Sequence, residues 1–335
     1  METIIKKEKV STDKPVFHHL VLKKEKSLFI VLAIFSVLIW MALAVSVVGF
    51  IVLGLVAFFV WFGAGLMAAH LKSEAVQLTP HQMPELYQTF LQACVKLEIH
   101  PVPSLYVLQA GGALNAFAMR HARRDFVVVY ADFIEAFSPY SKEIDFILGH
   151  ELGHIRQNHL VKNLFLAPAW ILPLLWPAYS RACESTCDVY GAYVSQDMDA
   201  SIKAMLALSG GKQLCHRLDA ERFANQRERN RGFFVSLHEL TSGYPTFARR
   251  VANLIAERDG SKVAPVRRNL LAYFVGCFSI GTGPFRFLLA SYVIIILVIA
   301  LVIAPAANRW KALIAPPAET TSDSVQMEPI EPNAE

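Results

Sequence analysis

The chain has 335 residues, of which 54% are hydrophobic, and a formal net charge of +4. This hydrophobic fraction exceeds the roughly 45–50% that is usual for soluble proteins, and the excess lies in two long apolar runs, 27–71 and 287–307. Lysines precede the first run and basic residues flank the second, so we interpret the charge as a signal of membrane topology and exclude nucleic-acid binding.

The amino-terminal part is predicted to be a basic cytoplasmic segment, 1–26, followed by two transmembrane helices over 27–71. Forty-five helical residues at about 1.5 Å each span roughly twice the ~30 Å hydrocarbon core, so the run predicts a hairpin with two crossings. A signal peptide that is cleaved after the small residues Ala42-Leu43-Ala44 is the alternative. A full-length apolar run would still follow that cleavage site and anchor the product.

The central segment, 72–268, has the mixed composition of a globular domain. Its patterns predict an α+β fold that is mostly helical and contains a small β-sheet, with strands at Ser104–Leu108 and Asp125–Tyr130. Ser141, followed by two acidic residues, is typical of a helix amino terminus. The helices are predicted at 84–97, from Ser141 to about 158, and at 181–194, 197–208 and 246–256.

The carboxyl-terminal part is predicted to be a membrane segment, 269–308, with its span at about 287–307, followed by a disordered tail, 309–335. The lysines before the first run place the amino terminus in the cytoplasm, and a hairpin returns the chain to that side. The five scattered cysteines resemble no secreted disulfide framework and also favour a reducing compartment. We therefore expect a multi-pass protein of the cell (inner) membrane with a cytoplasmic central domain.

The sequence His150-Glu151-Leu152-Gly153-His154 is an HExxH motif within a predicted helix. At positions i and i+4 the two imidazoles share one face, so both can bind a single Zn²⁺. Glu151 lies beside that face, which is typical of a base that acts on a metal-activated water. The flanking residues are apolar, and a buried helix that carries such polar groups must provide them with partners.

A catalytic zinc ion needs a third protein ligand and an open position for water, and three candidates compete for the role of ligand. His159 follows His154 by five residues and is turned off the ligand face. Cys183 and Cys187 form an i, i+4 pair, but two thiolates beside two histidines would close the coordination shell. Glu184 and Asp188 share one helix face, which would suit a carboxylate ligand and a partner that orients an imidazole.

The motif and the downstream series Ser180-Arg181-x-x-Glu184-x-x-x-Asp188-x-x-Gly191-Ala192 resemble the HtpX-like and CAAX prenyl protease family of membrane zinc metallopeptidases. The resemblance covers about residues 84–254 and implies a zincin-like domain of the gluzincin type with one zinc ion per chain. It implies His150, His154 and Glu184 as zinc ligands, Glu151 as the catalytic base, and Asp188 as a residue that orients a ligand.

Asn115-Ala116-Phe117-Ala118 and the strand after it also resemble the family segment against which substrate lies. This likeness implies an exposed strand edge at 126–130 that pairs with an extended peptide, and it gives the following expected substrate-binding residues: Asn115, Ala116, Phe126, Val127, Val128 and Val129.

The chain departs from the family pattern at two places. Tyr244-Pro245, followed by Arg250, stands where members have a His-Pro pair near an arginine, so we expect Tyr244 or Arg250 to stabilise the oxyanion as further catalytic residues. Residues 164–179 stand where HtpX has further spans, and they are too short and too rich in proline to cross a membrane easily.

The sequence therefore predicts a membrane-bound zinc endopeptidase that cleaves protein or peptide substrates, chiefly membrane proteins, in quality control at the lipid bilayer. A non-catalytic zinc-binding membrane scaffold or chaperone is the alternative from another class, and the replacement of histidine by Tyr244 favours it. A prenyl-protein protease is a narrower alternative, disfavoured by the small number of spans.

Overall fold

A computed structural model describes residues 20–45, 47–137, 140–265 and 267–279. Two long amino-terminal helices precede a domain in which helices surround a small sheet. The helices are α1 (Lys23–Val45), α2 (Val47–Glu74), α3 (Pro84–Lys96), α4 (Ala131–Ala136), α5 (Lys142–Arg156), α6 (His159–Phe165), α7 (Leu175–Ser195), α8 (Met198–Gly210), α9 (Ala220–Arg229), α10 (Phe233–Thr241), α11 (Phe247–Arg258) and α12 (Leu270–Gly276).

The sheet has the strand order β1-β2-β4-β3. Its strands are β1 (Val76–Gln77), β2 (Ser104–Leu108), β3 (Ala116–His121) and β4 (Arg124–Tyr130). β4 pairs with β2 in parallel and with β3 in antiparallel orientation. Ala122 and Arg123, both with positive φ, form the two-residue turn between β3 and β4.

The two faces of β4 contact different parts of the molecule. Val127 and Val129 belong to the main hydrophobic core together with residues of α3 and α5. Phe126 and Val128 pack instead against Leu71, near the end of α2. Because β4 is buried on both faces, its sequence is a continuous apolar run rather than an alternating pattern.

α5 and α7 pack unusually closely because glycines line their contact. A Cβ atom added at Gly149 would lie 2.7 Å from Cβ of Val194, and one added at Gly191 would lie 2.7 Å from the carbonyl oxygen of Phe146. A Cβ atom at Gly153 would lie 3.0 Å from Cβ of Tyr190. Only glycine leaves room for the two helix backbones at this separation, and the separation sets how near side chains on the two helices can come.

The structure confirms the predicted α+β class, and the predicted helices and strands of the central domain are present. Ser141 caps α5 by accepting a hydrogen bond from the backbone of Ile144, and Asp197 caps α8 in the same way through Ala200. β3 was not predicted, because its sequence, Ala-Phe-Ala-Met-Arg-His, has few residues that favour strands.

The prediction that the strand at 126–130 lies at the edge of the sheet is wrong. The strand at 126–130 is β4, whose backbone pairs on both sides, and the strand at this edge of the sheet is β3. An apolar run signals burial on both faces but carries no information about which strands lie beside it, and the hairpin that places β3 outside β4 is a tertiary feature.

Helices α1 and α2 cover the predicted membrane hairpin at 27–71. Of the described residues, one helix rather than the three predicted, α1, has the length and composition to cross a bilayer, and it fits a membrane anchor or a signal sequence. The second crossing stays a prediction. The third span at 287–307, the tail at 309–335 and most of the basic segment at 1–26 lie outside the described residues.

Residues 164–179 form the end of α6, a short 3₁₀ helix at Ala167–Ile171 and the start of α7. They pack against α1 through a cluster that includes Leu32, Leu166 and Trp176, while Trp170 and Ile171 are exposed. The stretch is therefore a compact turn beside α1.

We predict that Gly149→Ala lowers stability by about 1–3 kcal/mol, because the added methyl group must push α5 away from Val194. The thermal unfolding midpoint of the detergent-purified chain measures this change. Gly63→Ala is the matched control, since Gly63 is also helical and a Cβ atom there meets nothing within 4 Å. Equal midpoints for the two variants would contradict the proposed role of the close contact.

Candidate metal centre and cavity

The close contact between α5 and α7 brings together the three residues that the family resemblance implies as ligands. His150 and His154 lie one turn apart on α5, and Glu184 faces them from α7. Nε2 of His150 lies 3.4 Å from one Glu184 carboxylate oxygen, and Nε2 of His154 lies 3.6 Å from the other. The three side chains therefore present their donor atoms to one common point.

The other nitrogen of His150 faces a second carboxylate. Nδ1 of His150 lies 3.0 Å from Oδ1 of Asp188, and Nε of Arg250 donates a 2.9 Å hydrogen bond to Oδ2 of the same carboxylate. Burial would raise the pKa of Asp188, but the Arg250 guanidinium lowers it to about 2. Asp188 is therefore an ionised carboxylate that accepts a hydrogen bond from Nδ1–H of His150 and leaves Nε2 facing Glu184.

The pKa values of the two imidazoles are shifted in opposite directions. Burial would lower the pKa of His150, but the carboxylates of Asp188 and Glu184 raise it to about 9. Burial lowers the pKa of His154 to about 3, so its neutral form is stable. A divalent cation binds neutral imidazole, so it would replace the proton that His150 attracts and compensate the charge of Glu184.

Glu151 is buried beside this point and lines the same cavity. Burial raises the pKa of its carboxyl group to about 7, and the backbone N–H of Ala118 in β3 donates a hydrogen bond to it. A carboxyl group with a pKa near neutrality can both take up and release a proton, which general acid–base catalysis requires.

The cavity has a volume of about 490 Å³ and is partly open to solvent. Its walls are β3, α5, α7 and the residues around Tyr244, and they include all three candidate ligands. A metal ion held here would be accessible to water and to a substrate, as a catalytic site requires.

The donor set fits zinc. The ligand atoms of His150, His154 and Glu184 lie within 4.8 Å of one another, and two imidazoles with one carboxylate are a known zinc-binding combination that leaves a position open. Two other groups of potential ligands lie nearby, one of His154, His159 and Cys187 and one of Glu25, His159 and Cys183. The cavity is not lined by His159, Cys183, Cys187 or Glu25. Of these three groups, the one formed by His150, His154 and Glu184 is therefore the one that could present a metal ion to substrate.

The cysteines of α7 lie behind the candidate site. Cys183 and Cys187 are buried, and burial raises the pKa of both thiols, which disfavours the thiolate form that binds metal. Nδ1 of His159 lies 3.6 Å from the Cys187 sulfur. These contacts favour the interpretation of the two cysteines as packing residues.

The structure places both residues that we expected to stabilise an oxyanion on the wall of the cavity. Tyr244 is 65% exposed, and the negative charge of the Glu184 carboxylate raises the pKa of its phenol. The hydroxyl group therefore keeps the proton that it would donate. Arg250 also lines the cavity, but it is buried and engaged by Asp188, with Nη2 lying 3.4 Å from Nδ1 of His150, which favours a role in holding that pair.

The predicted substrate-binding residues divide into two groups. Asn115 and Ala116 line the cavity at the start of β3, so their role in binding stays a prediction. The other four lie inside the sheet with buried side chains and present no open edge: Phe126, Val127, Val128 and Val129.

Two buried residues behind His154 are not predicted by the sequence pattern. Nδ1 of His159 lies 3.0 Å from Nδ1 of His154, and Nε2 of His159 lies 3.1 Å from Oε1 of Glu25 in α1. The spacing of His159 from the motif suggests only a possible ligand, and Glu25 falls within a lysine-rich stretch. An acidic residue at the start of a long apolar helix was the one available signal.

Comparison with known proteins supports a metallopeptidase. Residues 80–178 match Peptidase family M48, a stretch that includes the HExxH motif but ends before Glu184. The chain is 27% identical over 169 residues to "Plastoglobule-localized metallopeptidase 48, chloroplastic" from Arabidopsis thaliana. That alignment covers 45% of this chain and 48% of the relative, so the chain spans about half of the relative's length. No solved structure matches the chain.

We predict that Asp188→Asn weakens zinc binding by about 10- to 100-fold, because Nδ1 of His150 loses the carboxylate that orients it. Competition with a chromogenic chelator measures the affinity. Asp199→Asn is the matched control, since it makes the same change at a carboxylate that is 80% exposed. An unchanged affinity in Asp188→Asn would show that Asp188 does not orient the ligand.

Proposed function

We propose that the protein is a membrane-anchored, zinc-dependent endopeptidase. The observation that carries the proposal is the convergence of Nε2 of His150 and Nε2 of His154 on the Glu184 carboxylate, in the same cavity as Glu151. A hydrolytic zinc site requires a general base beside the metal, and Glu151, with its raised pKa, can serve as one. A structural zinc site requires no such residue.

His150, His154 and Glu184 would hold the zinc ion, which when bound supplies a Lewis acid that polarises the scissile carbonyl and activates water. Glu151 takes the proton from the attacking water and delivers it to the leaving amine. The N–H of Ala118 orients the Glu151 carboxylate for both transfers. Tyr244 donates a hydrogen bond to the oxygen that becomes negatively charged in the transition state.

The open edge of β3 supports an extended peptide as the substrate. β3 pairs with β4 on one side, and its first residues line the cavity on the other. The hydrogen bond from Ala118 to Glu151 indicates that backbone groups of this edge point toward the site. Pairing along a strand edge recognises the backbone of a peptide and requires little side-chain identity.

The position of α1 and α2 supports substrates at a membrane. Large apolar side chains are exposed along both helices, among them Ile34, Leu38, Phe59 and Trp61. The same helices contact the domain that holds the cavity, α1 through α7 and α2 through β3. An anchor this close to the site would restrict cleavage to membrane proteins or proteins near the bilayer, as in quality control on the cytoplasmic face.

We expect Glu151→Gln to abolish cleavage of casein while one zinc ion per chain is retained, because the amide cannot accept the proton. Glu184→Ala should lose both zinc and cleavage. Zinc content by elemental analysis and casein hydrolysis in detergent are the two measurements. Glu143→Gln, the same change on α5 at a residue that pairs with Lys203 outside the cavity, should keep both properties.

Cleavage by Glu151→Gln at the wild-type rate would refute the assignment of the base. Zinc retained in Glu184→Ala would refute the ligand assignment. Wild-type protein that holds zinc and cleaves neither casein nor a co-purified membrane protein would favour the non-catalytic scaffold.

Tyr244→Phe should lower kcat by about 100-fold with little change in KM, because only the hydroxyl that stabilises the oxyanion is removed. Steady-state hydrolysis of a fluorogenic peptide separates the two constants. Zinc affinity should stay at the wild-type value. A raised KM at constant kcat would show instead that Tyr244 binds the ground state of the substrate.

A further inference from the structure

A buried chain of three side chains connects the amino-terminal helix to the candidate metal centre. Glu25 lies in the first turn of α1, His159 at the start of α6, and His154 on α5. Oε1 of Glu25 lies 3.1 Å from Nε2 of His159, and Nδ1 of His159 lies 3.0 Å from Nδ1 of His154. Glu25 is 2% exposed and His159 is 1% exposed, so solvent does not compete for these contacts.

The direction of each hydrogen bond follows from the groups at the two ends. The Glu25 carboxylate can only accept, so Nε2–H of His159 donates the hydrogen bond between them. The lone pair at Nδ1 of His159 then accepts from Nδ1–H of His154, and the Cys187 sulfur is a second, longer contact of the same nitrogen at 3.6 Å. His154 in this tautomer leaves Nε2 unprotonated, and Nε2 is the nitrogen that faces Glu184.

We propose that Glu25 and His159 are positioning residues that fix the tautomer and ring orientation of the zinc ligand His154, so that an amino-terminal helix holds part of the metal centre in place. The inference rests on the proposed function, because it requires His154 to bind zinc. Asp188 contacts Nδ1 of His150 in the same manner, so each candidate histidine ligand has its own partner for the nitrogen that faces away from Glu184.

A second metal ion held by Glu25, His159 and Cys183 is the competing interpretation of the same cluster. Both ring nitrogens of His159 are already engaged, one by His154 and one by Glu25. Cys183 is buried in an apolar cluster with Leu32 and Tyr179. Hydrogen bonding accounts for the contacts of His159 without an added ion, so positioning is favoured.

Glu25 connects the position of α1 to the candidate ligand His154. The helix contacts α7 and the 3₁₀ helix after α6, and Glu25 is the acidic residue of its first turn. Movement of α1 away from α7 would withdraw the carboxylate from His159 and loosen His154. The affinity for zinc would then depend on how α1 is seated.

The test is the zinc affinity of the full-length, detergent-purified chain, measured by competition with a chromogenic chelator. Glu25→Ala and His159→Ala should each weaken zinc binding by about 10- to 100-fold. The variant that combines Glu25→Ala with His159→Ala should bind zinc no more weakly than His159→Ala alone, because Glu25 acts on His154 through His159. Glu25→Gln should recover part of the loss, since its amide oxygen can still accept from Nε2 of His159.

Leu32→Ala is the matched control. Leu32 is fully buried on the same helix against Trp176 and Tyr179, so its truncation leaves a cavity in that apolar cluster but keeps the Glu25 carboxylate in place beside His159. It should leave zinc affinity within about threefold of the wild-type value, well below the change expected for an orienting partner. The visible spectrum of the Co²⁺-substituted protein should change in Glu25→Ala and remain unchanged in Leu32→Ala.

Equal affinities in Glu25→Ala and Leu32→Ala would overturn the proposal and leave the peptidase assignment intact. Two zinc ions per wild-type chain, one of them lost in Glu25→Ala with the affinity of the other unchanged, would replace positioning with a second metal site. Failure of the proposed function is a separate result, namely wild-type protein that binds no zinc.

Discussion

The close packing of α5 on α7 is the constraint on which the candidate site depends. Gly149, Gly153 and Gly191 allow the two backbones to approach at distances that a methyl group would prevent. This separation lets a carboxylate on one helix reach two imidazoles on the other. A wider gap would leave buried charged groups without partners, which would be costly for a domain of marginal stability.

The polar groups around the site are arranged in layers. His150 and His154 each face Glu184 through Nε2, and behind them Asp188 and His159 contact the opposite ring nitrogens. Such an arrangement orients the donor atoms before a metal ion binds, so little reorganisation is needed on binding. This arrangement buries several charges, which costs free energy of desolvation. The ion pair between the buried residues Asp188 and Arg250 offsets part of that cost.

The sheet and the two amino-terminal helices pack around the candidate site. β3 borders the cavity and pairs with no second strand among the described residues, while β4 is enclosed within the sheet. The end of α2 covers the outer face of β4, and α1 packs on α7 behind the metal centre. The two apolar helices thus contact both β3 and the helix that carries Glu184. A shift of either helix would therefore be transmitted to residues around the candidate site.

The HExxH motif, its helix and the long apolar segments could be read from the sequence, because each depends on residues close together in the chain. The spacing of His150 and His154 fixes their common face in any helix. Glu184 is favoured over the other candidate ligands mainly by a family resemblance, since the 29 residues between His154 and Glu184 carry no distance information. The edge position of β3 and the contact of Glu25 with His159 across 134 residues were decided by tertiary packing alone. Periodicity and propensity report which residues are buried, but the identity of a buried residue's neighbour depends on how distant segments fold together.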